Sequence, residues 1–119
     1  MERTTAMIRN GLYLYESEAL DRGDGGYRGV VVLRDGSILG GSSFFYFIGT
    51  YSSSGGRWKG ELTQQEHTPA PYTVPTARRI VTAGFTGTYA DEGAEFEATA
   101  LVGKRSLRYH ANMRLLVAD

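Results

Sequence analysis

Hydrophobic and polar residues alternate along most of this chain in short runs, and turn-forming residues interrupt them about every ten positions. That rhythm predicts an all-β protein, a small closed or nearly closed eight-stranded antiparallel up-and-down barrel with at most one short helical turn. Strands are expected over residues 11–16, 27–33, 37–40, 44–51, 57–66, 79–89, 94–102 and 107–117. They form one domain, 10–119, behind a flexible leader, 1–9. Asp35-Gly36 is the strongest hairpin signal, because both residues tolerate the positive φ of a turn that matches strand twist. All three prolines (Pro69, Pro71, Pro75) fall in the connection 68–76. They exclude a central strand there and leave room for a helical turn near 74–78.

The last three strands have one register that satisfies both of their faces. Pairing Val102 with Leu107 across a turn at 103–106 sets Ala100 against Tyr109, Ala98 against Ala111 and Phe96 against Met113 on an apolar face. The opposite face then sets Glu95 against Arg114, Glu97 against Asn112 and Thr99 against His110. Through the turn at 91–93, Gly87 meets Phe96 and Phe85 meets Ala98, large against small, as an interdigitated interior prefers.

The second and fourth strands behave differently, since Val30 to Leu33 and Phe44 to Ile48 are apolar at every position. A strand apolar on both faces is buried on both, and no helix here is long enough to cover the outer one. A second copy is the simplest cover. A homodimer is therefore expected through Val31, Leu33, Phe44, Tyr46 and Ile48. The plainer alternative makes Phe44 and Tyr46 ordinary exposed aromatics.

Composition removes several function classes. The 13 basic residues balance the 13 acidic ones, so no surplus positive field recruits nucleic acid or anionic lipid. There is no cysteine, hence no disulfide, thiolate metal site or cysteine nucleophile. Residues 1–9 carry no apolar run of the kind a signal peptide needs. No stretch approaches the roughly 18–20 apolar residues of a spanning helix. A cytoplasmic protein is expected.

Catalytic signals are missing as well. His110 reads as a surface residue beside Thr99, and His67 has no carboxylate partner by spacing. No nucleophile elbow, zinc-binding helix or complete phosphate loop occurs; Gly103-Lys104-Arg105-Ser106 reads as a hairpin turn. Asp21 and Asp24 sit among glycines without the spacing of a calcium loop. Glu95 and Glu97 share a face, where Arg114 supplies a structural reason for them. A non-enzymatic protein without metal or cofactor is the expectation.

One stretch is more specific. Residues 29–41 run Gly29, three valines, Leu33, Arg34, Asp35, Gly36, Ser37, Ile38, Leu39, Gly40 and Gly41, and an aromatic strand follows from Phe44 to Gly49. Together with Asn10-Gly11-Leu12-Tyr13, this resembles the GrlR family, negative regulators of type III secretion genes in enteric bacteria. The match covers about residues 10–67. The resemblance implies a calycin-like, lipocalin-like barrel that is dimeric and acts as an anti-activator by binding a transcriptional activator. Two departures stand out. Ser42 replaces the family's acidic residue after the double glycine. The uncharged tip Ser53-Ser54-Gly55-Gly56 replaces the family's acidic partner-binding tip.

Two functions follow as expectations. The first is a dimeric regulator that binds another protein through its outer surface or through the tip at Ser53, Ser54, Gly55 and Gly56. The second is a carrier or sensor of a small apolar ligand, lined by Phe45, Phe47, Trp58, Leu62, Gln64, Phe85, Phe96, Tyr109 and Met113. An eight-stranded barrel either fills its interior with side chains or holds one small ligand, and those nine residues suit both.

Overall fold

The computed structural model describes residues 7–20, 27–69, 80–102 and 104–119. Eight strands follow in chain order: β1 (Gly11–Ala19), β2 (Tyr27–Arg34), β3 (Ser37–Gly41), β4 (Phe45–Ser54), β5 (Arg57–Glu66), β6 (Val81–Ala90), β7 (Gly93–Val102) and β8 (Arg105–Ala118). Each pairs antiparallel with the next, and β8 pairs back onto β1 to close the barrel. Closure leaves no unpaired sheet edge, which is how a meander of this size avoids edge-to-edge aggregation. The expected helical turn at 74–78 lies outside the described residues.

Side-chain alternation follows the pleat. Along β8, Leu107, Ala111 and Met113 are buried, while Arg108, Asn112 and Arg114 are exposed. The β6–β7 register is the expected one, with Phe85 opposite Ala98 and Gly87 opposite Phe96. The β7–β8 register is not. Val102 pairs with Arg105 rather than Leu107, so Glu95 faces Asn112, Glu97 faces His110, Ala98 faces Tyr109 and Phe96 faces Ala111. The slip is two residues, and so every side chain keeps its face. A two-residue connection matches the twist of the flanking strands better than the four-residue turn expected at 103–106.

The second strand corrects the sequence reading more sharply. Val31 and Leu33, expected on an outer dimer face, are interior, at 3% and 0% exposure. Val30 and Val32 take the outer positions instead. The reason lies in the flanking charges: Arg28 and Arg34 share the parity of Val30 and Val32, and an unpaired guanidinium is not buried in an apolar lumen. Phe44 is also misplaced, since β4 begins at Phe45. Phe44 lies half-buried in the bend before it, its carbonyl accepting from the His67 and Thr68 amides at 2.8 and 3.3 Å.

Residues 8–10, just before β1, pack onto the barrel. Ile8 is buried, and its N–H donates to the Ser53 hydroxyl at 3.0 Å. The Tyr13 hydroxyl donates to the Arg9 carbonyl at 2.7 Å. Asn10 bonds Asp35 twice, side chain to side chain and side chain to backbone, at 3.0 Å each. Residues 8–10 thus belong to the packed structure, so the domain begins before residue 10, and the leader expected over 1–9 is corrected at Ile8 and Arg9; residues 1–6 lie outside the described residues.

Candidate ligand-binding site

The lumen is not filled. A cavity of about 140 Å³ runs inside it, close in size to the roughly 150 Å³ that holds one benzene in an engineered apolar cavity. The sequence explains why space remains. Along β6, β7 and β8 the inward positions include Ala83, Ala98, Ala100 and Ala111, too short to reach the barrel axis. Beside them, on β5 to β7, is an aromatic cluster. Trp58 and Phe85 meet edge-on at 4.7 Å, Phe85 and Phe96 lie 4.9 Å apart, and Trp58 and Phe96 5.7 Å apart. The Trp58 indole N–H donates to the Glu95 carbonyl at 3.1 Å, which satisfies its one polar atom and holds the ring in place.

All nine residues expected in a lumen line this cavity: Phe45, Phe47, Trp58, Leu62, Gln64, Phe85, Phe96, Tyr109 and Met113. Sequence reasoning missed the hydroxyl-bearing wall, made by Tyr15 and Ser17 of β1, Tyr27 of β2, and Ser42 just after β3. The Tyr15 hydroxyl bonds the Ser42 side chain. Burial pushes the Tyr15 phenol above its ordinary range, and the bond from Ser42 partly offsets that rise. The Tyr15 ring packs edge-on against Phe47 at 5.2 Å. A period-two count from Tyr13 inward would have placed Tyr15 and Ser17 in the lumen. No local signal marks Ser42, which lies outside any strand.

The other expected site residues are scattered. Tyr46 and Ile48 do face outward, at 39% and 48% exposure, and Leu39, at 62%, joins them. Val32, Leu39 and Ile48 occupy one register row, with Val30 and Tyr46 in the next. At the tip, Ser53 and Ser54 end β4, and Gly55 and Gly56 make a two-residue turn with φ of 61° and 85°. Ser53 is engaged internally by the Ile8 amide.

The outer wall of β6–β8 carries the nearest approach to catalytic chemistry. His110 Nε2 lies 2.8 Å from Glu95 Oε2, and the Thr88 hydroxyl donates to Glu95 Oε1 at 3.1 Å. The carboxylate sits between the other two groups, so the imidazole does not reach the hydroxyl. A nucleophile–base arrangement needs the reverse order. Arg108 pairs with Glu97 beside it at 3.2 Å. His67 bonds the Thr68 hydroxyl and the Ser42 carbonyl, tying the end of β5 to the bend before β4. Among the described residues, no three His, Asp or Glu side chains gather as a metal site, and no helix is long and apolar enough to cross a membrane.

No protein-family model matches the chain, and no curated protein matches it with significance.

Proposed function

We propose that this barrel is a non-enzymatic binding protein that carries or senses one small, largely apolar molecule in its lumen. The unfilled cavity lined by the Trp58–Phe85–Phe96 cluster and the alanines of β6–β8 carries the reading. A void of this kind forfeits packing energy. In a ligand-binding barrel that loss is recovered on occupancy. A cytoplasmic setting belongs to the proposal, because a chain without cysteine gains no disulfide in an oxidising compartment.

Native mass spectrometry of the full chain purified from its own host tests it. A retained small molecule is expected, released on denaturation and absent from Ala98→Met, whose longer side chain fills the space. A bare wild-type chain, or retention unchanged in the variant, would count against the lumen.

A second reading is a dimeric regulator that works through protein contacts. The exposed apolar positions Val30, Leu39, Tyr46 and Ile48 on one flank support it. The occupant proposed for that flank is a second copy. Ion pairs of mixed sign, Glu16–Arg28 between β1 and β2 and Arg34–Asp119 between β2 and the residue after β8, lie at either end of the apolar rows. Two such faces meeting across a twofold axis therefore bring no excess of like charge together. The tip offers less support for an activator contact, being uncharged and partly committed to Ile8.

A further inference from the structure

We infer that the lumen selects an uncharged molecule of about one aromatic ring in size, apolar over most of its surface and carrying one hydroxyl or carbonyl toward Tyr15 and Ser42. The inference rests on the lumen-binding reading and adds the chemical class of the ligand.

Three observations carry it. First, no Lys, Arg, His, Asp or Glu is among the described residues that line the cavity. A carboxylate or ammonium entering it would shed its water with no counter-charge to replace it, and such groups neutralise rather than stay ionised in apolar surroundings.

Second, six lining residues carry a side-chain oxygen, and four of them, Tyr15, Ser17, Tyr27 and Ser42, come from β1, the start of β2 and the bend after β3, where Ser17 pairs directly with Tyr27. The other two are Gln64 of β5 and Tyr109 of β8, and the rest of the lining is aliphatic or aromatic. A ligand that is mostly apolar and carries one polar group toward Tyr15 and Ser42 matches that distribution.

Third, the Tyr15–Ser42 pair has spare hydrogen-bonding capacity. It holds two O–H groups, and the bond between them uses one. By inventory one proton and several lone pairs remain for a third partner. The pair is also seated by design of the backbone. A Cβ at Gly29 would come within 2.8 Å of the Tyr15 hydroxyl, so the ring lies where only glycine leaves room. The Tyr15 phenol, protonated at neutral pH even at its ordinary value and pushed higher by burial, stays a donor there rather than an anion.

Trp58 is the only tryptophan and lines the cavity, so its fluorescence reports binding without a label. Titrations with toluene, benzyl alcohol and benzoate hold ring size nearly constant while changing the polar end. Benzyl alcohol should bind about three- to tenfold more tightly than toluene, the worth of one net hydrogen bond. Benzoate should bind at least about tenfold more weakly near neutral pH. Its affinity should climb about tenfold per unit as pH falls toward its carboxyl pKa, because only the neutral acid enters. In Tyr15→Phe, benzyl alcohol should fall to the level of toluene while toluene is unchanged.

Benzoate binding as well as benzyl alcohol, or Tyr15→Phe preserving the preference for benzyl alcohol over toluene, would overturn the ligand class and leave a promiscuous apolar lumen. If none of the three probes perturbs Trp58 or raises the melting temperature, and Ala98→Met behaves as wild type, the lumen reading fails together with this one.

Discussion

Gly29 decides where Tyr15 can lie. Besides the Tyr15 hydroxyl, a Cβ there would clash with the Gly41 carbonyl oxygen, and that atom is backbone held in the β2–β3 pairing. Gly29→Ala must therefore shift either β3 or the tyrosine. It should destabilise the fold by about 1–3 kcal/mol in urea titration, as overpacking does. The same variant should also lose the distinction between benzyl alcohol and toluene. A fully stable Gly29→Ala that still prefers the alcohol would show that the tyrosine is not held by this contact. Such residue-level detail was only partly legible in the chain. Trp58, Phe85 and Met113 announce themselves as interior by size and alternation. Ser42 does not, because its place depends on the bend that Phe44 and His67 hold together.

Elements follow from local pattern, and their pairing from geometry the pattern does not carry. β5 occupies the expected residues 57–66 in full, closed off by the Gly55-Gly56 turn that its positive φ values require. The β7–β8 hairpin shows the limit. Registers two residues apart keep the same residues inside, so hydrophobic alternation cannot choose between them. Turn length chooses. The consequence is measurable in charge pairs: Glu97 and Arg108 touch at 3.2 Å, both side chains more than half exposed, whereas Arg114 faces Gly93. A double-mutant cycle on Glu97 and Arg108 should give a coupling of about 0.2–1 kcal/mol, typical of an exposed pair. The cycle on Glu95 and Arg114 should give a value indistinguishable from zero. The opposite ranking would restore the register with Val102 against Leu107.

The whole molecule presents two unlike flanks. Outward positions of β2 to β4 include Val30, Val32, Leu39, Tyr46 and Ile48; those of β5 to β8 include Lys59, Thr86, Thr88, Glu95, Glu97 and Arg108. Leu101 of β7 and Leu116 and Val117 of β8 are exposed too, but the β2 to β4 positions stand in adjacent register rows, and a contiguous apolar flank is the pattern of an interaction surface. Sedimentation velocity should give a dimer for the full chain. Leu39→Asp combined with Ile48→Asp should give a monomer with an unchanged circular dichroism spectrum. Both side chains point away from the core, so the pair can be charged without opening the barrel. A wild-type monomer across the accessible concentration range, or a double variant that still dimerises, would remove the second copy from this flank.

Read alone, the chain determined the number of strands, their order and the alternation of β6 to β8. Each of these follows from turn residues and period-two patterning within a few neighbouring positions. Tertiary structure alone decided three further things. It sent Val31 and Leu33 inward, because a strand apolar on both faces takes its orientation from its neighbours and its flanking arginines. It packed Ile8 into the core and bonded its amide to Ser53. It also left the alanines of β6 to β8 facing a space that no aromatic ring fills. A cavity is a property of opposing walls, and those walls meet only when β8 closes on β1.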